Sequence, residues 1–266
     1  MPREITAFSN PLVKYARDLR DKRHRKASGQ FLVEGLRILT EARDAGRLPR
    51  TLFYTAAGAG HELVHALSIA VEAGGGEAIQ TNADILGKLS GKDNPQAVVG
   101  IFDEFAVTLD DLDRHSAAIW LVAERLRDPG NLGTILRTGD AVGAGALILL
   151  DECVDAFSVE AVRASMGALF TVPVVHTGWA DFAAWLRRGP GQLVGLSLDA
   201  DQDYRAATYA APTFLLTGNE AHGMPQYMAA ACDTLVKIPM LGKADSLNAA
   251  VAAAVMAYEV LARQCR

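Results

Sequence analysis

Cysteine is scarce in this chain: Cys153, Cys232 and Cys265 are the only three in 266 residues, far apart and in no CxxC or Cys/His arrangement. Such spacing supports neither a disulfide framework nor a zinc site, and it suits a reducing, cytoplasmic setting. Long apolar runs are missing too. The longest, "AAVAAAVMAY" from Ala249, is too short to span a bilayer, and "MPREITAFSNPL" lacks the apolar core of a signal peptide, so no membrane partner is expected. The nucleotide-phosphate fingerprints are also absent. The glycines at 130, 133, 139, 143 and 145 do not form GxGxxG, and no lysine lies between Lys92 and Lys237 to complete a P-loop. Aromatic residues are 7% of the chain, with no run that reads as an RNA-stacking platform.

What is present is the composition of a globular protein, half hydrophobic and 21% charged, with length for one large α/β domain or two smaller ones. The net charge of -5 hides an asymmetry. Residues 1–30 hold 8 basic and 3 acidic side chains, or +5, while the remainder holds 18 against 28, or -10. One end can attract a polyanion that the body repels. Within that end Lys22, Arg23, Arg25 and Lys26 stand beside one another and read as phosphate contacts.

Apolar, β-branched runs alternate with amphipathic stretches throughout. "FLVEG", "TLFYT", "EAIQT" and "AVVGIFDE" predict strands in the first hundred residues, with helices near 11–23, 35–46 and 61–73. An acidic connector follows at 103–116. Beyond it "AIWLVAE", "GALILLD", "TVPVVH", "QLVGLSLD", "TFLLTG" and "TLVKIP" read as buried strands between helices, which favours a mainly parallel sheet covered on both faces. The resulting division is an N-terminal domain over 1–105, a linker at 106–116 and a second domain over 117–266.

Three stretches of the second domain carry candidate chemistry. In "RDPGNLGTILRTGDAVGA", residues 127–144, Asn131 reads as the N-cap of a helix that carries Arg137. In "TFLLTGNEAHGMP", residues 213–225, a strand ends in Gly218-Asn219-Glu220, the place where ligands approach open α/β sheets. In "KIPMLGKADSLNAAVAAAVMAYEVLARQ", residues 237–264, Ser246 and Asn248 open a helix so rich in alanine that it is expected to be buried, within the subunit or between subunits. Taken singly, an arginine on a helix is an ordinary ion-pair partner and an asparagine after Pro-Gly an ordinary cap. The three stretches in this order mean more.

Asn131-x-Gly133 with Arg137, Gly218-Asn219-Glu220-x-x-Gly223, and Ile238-Pro239-Met240 with Ser246-Leu247-Asn248 resemble the three ordered motifs of the SpoU/TrmH family of RNA ribose 2'-O-methyltransferases. "ASMGALFTVPV", residues 164–174, is similar to the family's stretch between the first two motifs, and "ITAFSNPLVKYARDLRDKRHRKASGQFLVEG" to the N-terminal substrate-binding domain of its rRNA members. One departure is "SLNAAVAAAV" where many relatives have "SLNVSVA".

The resemblance implies a parallel-sheet catalytic domain with a C-terminal trefoil knot, a smaller α/β domain like ribosomal protein L30e before it, S-adenosylmethionine as cofactor, no metal, and a homodimer acting on RNA. It assigns the central catalytic role to Arg137, with Asn131, Glu220, Ser246 and Asn248 around it. Gly218, Asn219, Ile238, Met240 and Leu247 are then the cofactor-binding residues. Ribosomal RNA is the expected substrate; a tRNA methyltransferase, a catalytically silent RNA-binding protein of the same fold and a nucleotide-dependent oxidoreductase are the alternatives. The proton acceptor is left open, because a guanidinium donates and does not accept.

Overall fold

Strand-forming runs of the chain build two separate sheets in the computed structural model, which describes residues 3–91, 96–219 and 222–264. In the first compact unit, residues 1–105 with 157–170, the strands are β1 (Arg3–Glu4), β2 (Gln30–Glu34), β3 (Thr51–Thr55), β4 (Glu77–Thr81) and β5 (Val98–Asp103). Their order is β1-β4-β3-β5-β2. β4 runs parallel to β1 and β3, while β5 is antiparallel to β2 and β3. Leu32, Phe53, Ile79, Val99 and Ile101 form its core with Val13, Ala16 and Leu19 from the N-terminal helix and Ile85, Leu86 and Leu89 from the helix Ala83–Ser90.

The single helix expected near 11–23 is two. Asn10 caps Pro11–Asp18 by accepting from the Leu12 N–H, and after a break Asp21 caps Lys22–Ser28 by accepting from the Arg23 N–H. Each Asx cap starts a new helix because it supplies an acceptor for otherwise unpaired N–H groups. The break also corrects the reading of Arg25. Its side chain is buried and its Nη1 donates to the carbonyls of Leu19 at 2.9 Å and Arg20 at 2.8 Å, so it ties the second helix to the end of the first and offers no surface to a phosphate. Lys22, Arg23 and Lys26 are exposed.

Residues 157–170 pack with the first unit, whereas a strictly sequential division at 117 gives them to the second. Their hold is aromatic and ionic. Phe157 and Phe170 lie against Phe31, Phe102 and Phe105, and Arg163, on the helix Val159–Ser165, reaches the Glu34 carboxylate at 2.7 Å.

The second unit covers 106–156 and 171–266. Its strands are β6 (Ile119–Glu124), β7 (Leu147–Leu150), β8 (Val174–Thr177), β9 (Gln192–Leu196), β10 (Gln202–Asp203), β11 (Thr213–Thr217) and β12 (Thr234–Lys237). They form a seven-stranded sheet in the order β10-β12-β9-β11-β6-β7-β8, and every pairing is parallel. The core stacks Trp120 on Phe214 and sets Trp185 edge-on to both, with Ile148, Leu150, Phe182 and Leu216 around them. The stretch read as a linker at 106–116 packs here. Arg114 lies 3.9 Å above the Trp185 ring and donates to the carbonyls of Trp185 and Leu186. No helix among the described residues is long and apolar enough to cross a membrane.

From β6 the chain proceeds outward through β7 to β8, and later strands fill the other side through β11 and β9. β6 and β11 are therefore the switch point of this open sheet, and in register Ala123 faces Thr217, so both strands end together. The loops after them emerge side by side at the carboxyl edge, where open α/β sheets hold ligands.

Candidate active site

Local chemistry at the end of β6 begins with Asp128-Pro129. Asp128 is the N-cap, its side chain accepting from the Asn131 N–H at 2.6 Å, and Pro129 opens the helix Pro129–Val142. Asn131 thus sits at the third helical position and is not the cap. Pro at the first position costs nothing there, since its missing N–H has no partner in a helix anyway. The cap matters because it leaves the Asn131 side chain available to other groups.

The loop after β11 folds back on itself. Asn219 and Gly223 exchange backbone hydrogen bonds at 3.1 and 2.9 Å, which closes a tight turn with Gly223 at φ +68°. Gly218 must be glycine, because a Cβ there would lie 2.5 Å from the backbone of Gly223 and Met224. The Asn219 side chain then joins the two loops, its Nδ2 donating to the Arg125 carbonyl at 2.8 Å while its Oδ1 accepts from the His222 N–H at 3.1 Å. Arg125 itself is held at φ +44°, a conformation that a non-glycine residue adopts only when its surroundings enforce it.

The third element is the final helix, Ala249–Gln264. Asn248 caps it by accepting from the N–H groups of Ala250 and Val251, and its Nδ2 donates to Asn131 Oδ1 at 2.8 Å. The alanine face, with Ala249, Ala250, Ala253 and Ala257, is buried inside the unit, and the larger Val251 and Tyr258 are about half exposed. Small side chains let this helix lie close to the helix Pro129–Val142 and to β11, which is what brings the ends of three distant segments together.

Two adjoining cavities result. One, of about 430 Å³, is lined by all five residues read as cofactor-binding, Gly218, Asn219, Ile238, Met240 and Leu247. The other, of about 830 Å³, is lined by Asn131, Ser246 and Asn248 together with Glu124, Arg125 and Asp128. Asn219, His222, Gly223, Ser246, Leu247 and Ala249 line both, so the cavities share a wall. Arg137 lines neither: it is exposed on the helix Pro129–Val142 and makes no hydrogen bond or ion pair among the described residues. Glu220 lies outside the described residues. Among those described, no three His, Cys, Asp or Glu side chains are grouped to hold a metal ion.

Glu124 is the residue that pattern reading passed over. It ends a strand buried along its whole length and is itself 1% exposed, with the Asn219 backbone and the Arg125 side chain beside its carboxylate. Burial pushes its carboxyl above the ordinary range, opposed by Arg125, whose Nε lies 3.4 Å away. In the sequence it looks like the polar end of a buried strand. Asp128 was legible in principle, since Asp-Pro is a cap followed by a first-turn proline.

The geometry can be set beside known proteins. Residues 118–258 match the SpoU rRNA Methylase family, and residues 10–100 match the MRM3-like substrate binding domain. A 23S rRNA uridine 2'-O-methyltransferase of Streptomyces viridochromogenes is 33% identical over 97% of this chain and 92% of its own. A 23S rRNA guanosine 2'-O-methyltransferase of Bacillus subtilis is 26% identical over 97% of this chain and 99% of its own. The crystal structure of an AdoMet-bound rRNA methyltransferase from Sinorhizobium meliloti superposes with a TM-score of 0.90 at 38% identity, covering 97% of each chain.

Proposed function

Since the chain belongs to the SpoU rRNA methylase family and is an S-adenosylmethionine-dependent RNA ribose 2'-O-methyltransferase, we propose how its residues divide the work. The supporting observation is the shared wall: the smaller cavity holds the cofactor, the larger receives the acceptor nucleotide, and transfer takes place across Asn219, Ser246 and Leu247. The smaller cavity fits the cofactor's chemistry. Leu196, Ile238, Met240 and Leu247 give apolar contact, with Ser197, Asp199 and Asn219 as polar partners.

When bound, the cofactor supplies a methyl group on a positively charged sulfur. The ribose 2'-oxygen forms a bond to that methyl carbon as the carbon–sulfur bond breaks, and the hydroxyl proton leaves through an RNA phosphate or a water. Such an in-line displacement requires alignment first and relief of developing negative charge second. The linked Asn131 and Asn248, with Ser246 beside them, align the ribose. Arg137 grips an RNA phosphate with its fork of donors and stabilises the nascent alkoxide. Glu220 orients the same group.

Family membership supports further parts of this proposal. The C-terminal segment forms a trefoil knot around the cofactor, the N-terminal unit is L30e-like, and the enzyme is a cytoplasmic homodimer. The dimer is supported by Arg137, which faces solvent instead of a cavity, and by exposed Leu247, Val251 and Tyr258 around the final helix. The substrate is 23S rRNA. Full-length similarity to two 23S rRNA enzymes supports this over tRNA.

Transfer of labelled methyl from S-adenosylmethionine to unmodified 23S rRNA, and separately to unmodified tRNA, tests the reading. Label on 23S rRNA that vanishes with Arg137→Ala is the expected result. Label on tRNA alone would refute the rRNA assignment, and failure to bind the cofactor would refute the division of the two cavities.

A further inference from the structure

A third cavity, of about 830 Å³, lies wholly within the first unit and takes no part in the site above. Its lining includes Phe8, Lys14, Arg17, Arg20, Lys88 and Asp84. The helices Pro11–Asp18 and Ala83–Ser90 pack together through Val13, Ala16, Ile85, Leu86 and Leu89, and this leaves Lys14, Arg17 and Lys88 pointing outward on either side of the groove. Arg20 enters at the break between the first two helices. Gly91 makes room for it, since a Cβ there would collide with the guanidinium.

The charge balance is one-sided. Among the described residues, four cations and one carboxylate, Asp84, line the cavity. Arg17 is paired with its exposed neighbour Asp18 at 3.0 Å, whereas Lys14, Arg20 and Lys88 have no acidic partner among the described residues. An aromatic ring stands beside them: Phe8, 47% exposed where most phenylalanines of the chain are buried. Unpaired cations call for an anion, and an exposed ring in a concave site calls for a flat apolar partner. A nucleotide whose base is unstacked from its neighbours offers both at once. A continuous RNA duplex offers phosphates but keeps its base faces covered.

We propose that this cavity binds an unpaired nucleotide of the RNA substrate, its base against Phe8 and the flanking phosphates on Lys14, Arg20 and Lys88. The proposal rests on the reading of the chain as an RNA-modifying enzyme, and it moves the polyanion contact of the first unit away from the 22–26 run. There Arg25 is internal, and Lys22, Arg23 and Lys26 do not line this cavity.

Binding of the full chain to fluorescein-labelled oligouridylate, and to the same strand annealed to oligoadenylate, tests this across a salt series. Replacing Arg20 and Lys88 together by Ala removes two phosphate contacts. The slope of log affinity against log salt should then fall by about 1.4 for the single strand, at about 0.7 per contact. Phe8→Ala should weaken the single strand by roughly 5-fold to 100-fold, leave the slope and the duplex affinity alone, and be rescued by Phe8→Trp.

An unchanged slope in the double variant overturns the proposal, as does equal weakening of single strand and duplex by Phe8→Ala. Displacement of the oligouridylate by polyglutamate as readily as by unlabelled strand would show a general anion groove and overturn nucleotide binding. Failure of the functional reading looks different: a wild-type chain that binds the single strand with these dependences yet transfers no methyl.

Discussion

Asn248 and Asn131, 117 positions apart, are joined by a hydrogen bond of 2.8 Å from the Nδ2 of one to the Oδ1 of the other. The same Asn248 caps the final helix through its own Oδ1. One side chain therefore fixes a helix start and locks it to the first turn of another. Asn248→Asp keeps the cap acceptor but turns an oxygen toward Asn131 Oδ1. We expect the melting temperature to stay close to wild type while methyl transfer falls by at least about tenfold, as the ribose loses its alignment. Asn248→Ala loses the cap as well, at a further cost of about 1 kcal/mol in stability. Melting curves with single-turnover transfer rates separate the two.

Arg137 is exposed and carries no partner among the described residues, so its removal should cost less than about 0.5 kcal/mol of stability. Arg137→Ala is expected to abolish transfer while cofactor affinity, measured by calorimetry, is retained. Arg137→Lys keeps the charge but not the fork, and should recover little of the rate. Near-wild-type transfer in the alanine variant would remove Arg137 from the mechanism.

Glu124 predicts a pH dependence with a definite sign. Burial raises its folded value above that of the unfolded chain, so between the two values the native state binds more protons. Stability from this group is therefore lost as pH rises through the folded value. Glu124→Gln removes the buried charge while keeping the shape. Its melting temperature should exceed that of wild type at about pH 8 and converge with it as pH falls into the ordinary carboxylate range. A difference that stays constant with pH would show that Glu124 does not titrate in the fold.

Burial raises the Cys153 thiol to about 11 and the Cys232 thiol to about 12. Because the thiolate is the reactive form, both should react slowly with Ellman's reagent in the native chain and at once after unfolding in guanidinium. A Cys265→Ser background isolates the two. Rapid labelling of the folded protein would show that these half-buried thiols are not held in the protonated form.

Much of this architecture is legible along the chain. "TLFYT", "EAIQT" and "TFLLTG" become β3, β4 and β11 because β-branched and aromatic runs between turn residues have few other stable options. The family resemblance groups Gly218, Asn219, Ile238, Met240 and Leu247 as cofactor-binding, and the fold lines one cavity with them. The errors came where neighbouring side chains compete for one role. Both Asp128 and Asn131 are good cap residues, and the choice falls to Asp128 because Pro129 follows it. Arg25 sits in a run of cations, and nothing local distinguishes the one that folds inward.

The sequence by itself determined the alternation of strands and helices, the charge asymmetry of the first thirty residues and the identity of the residues available for chemistry, because each depends on local propensity and residue type. The tertiary structure alone decided that Phe157–Phe170 packs with the first sheet, that Glu124 is buried beside Asn219, and that Phe8 and Lys88 line one groove. Those are contacts between segments tens to more than a hundred positions apart. They are selected by which buried surfaces fit one another, a property of the whole packed chain that no local window contains.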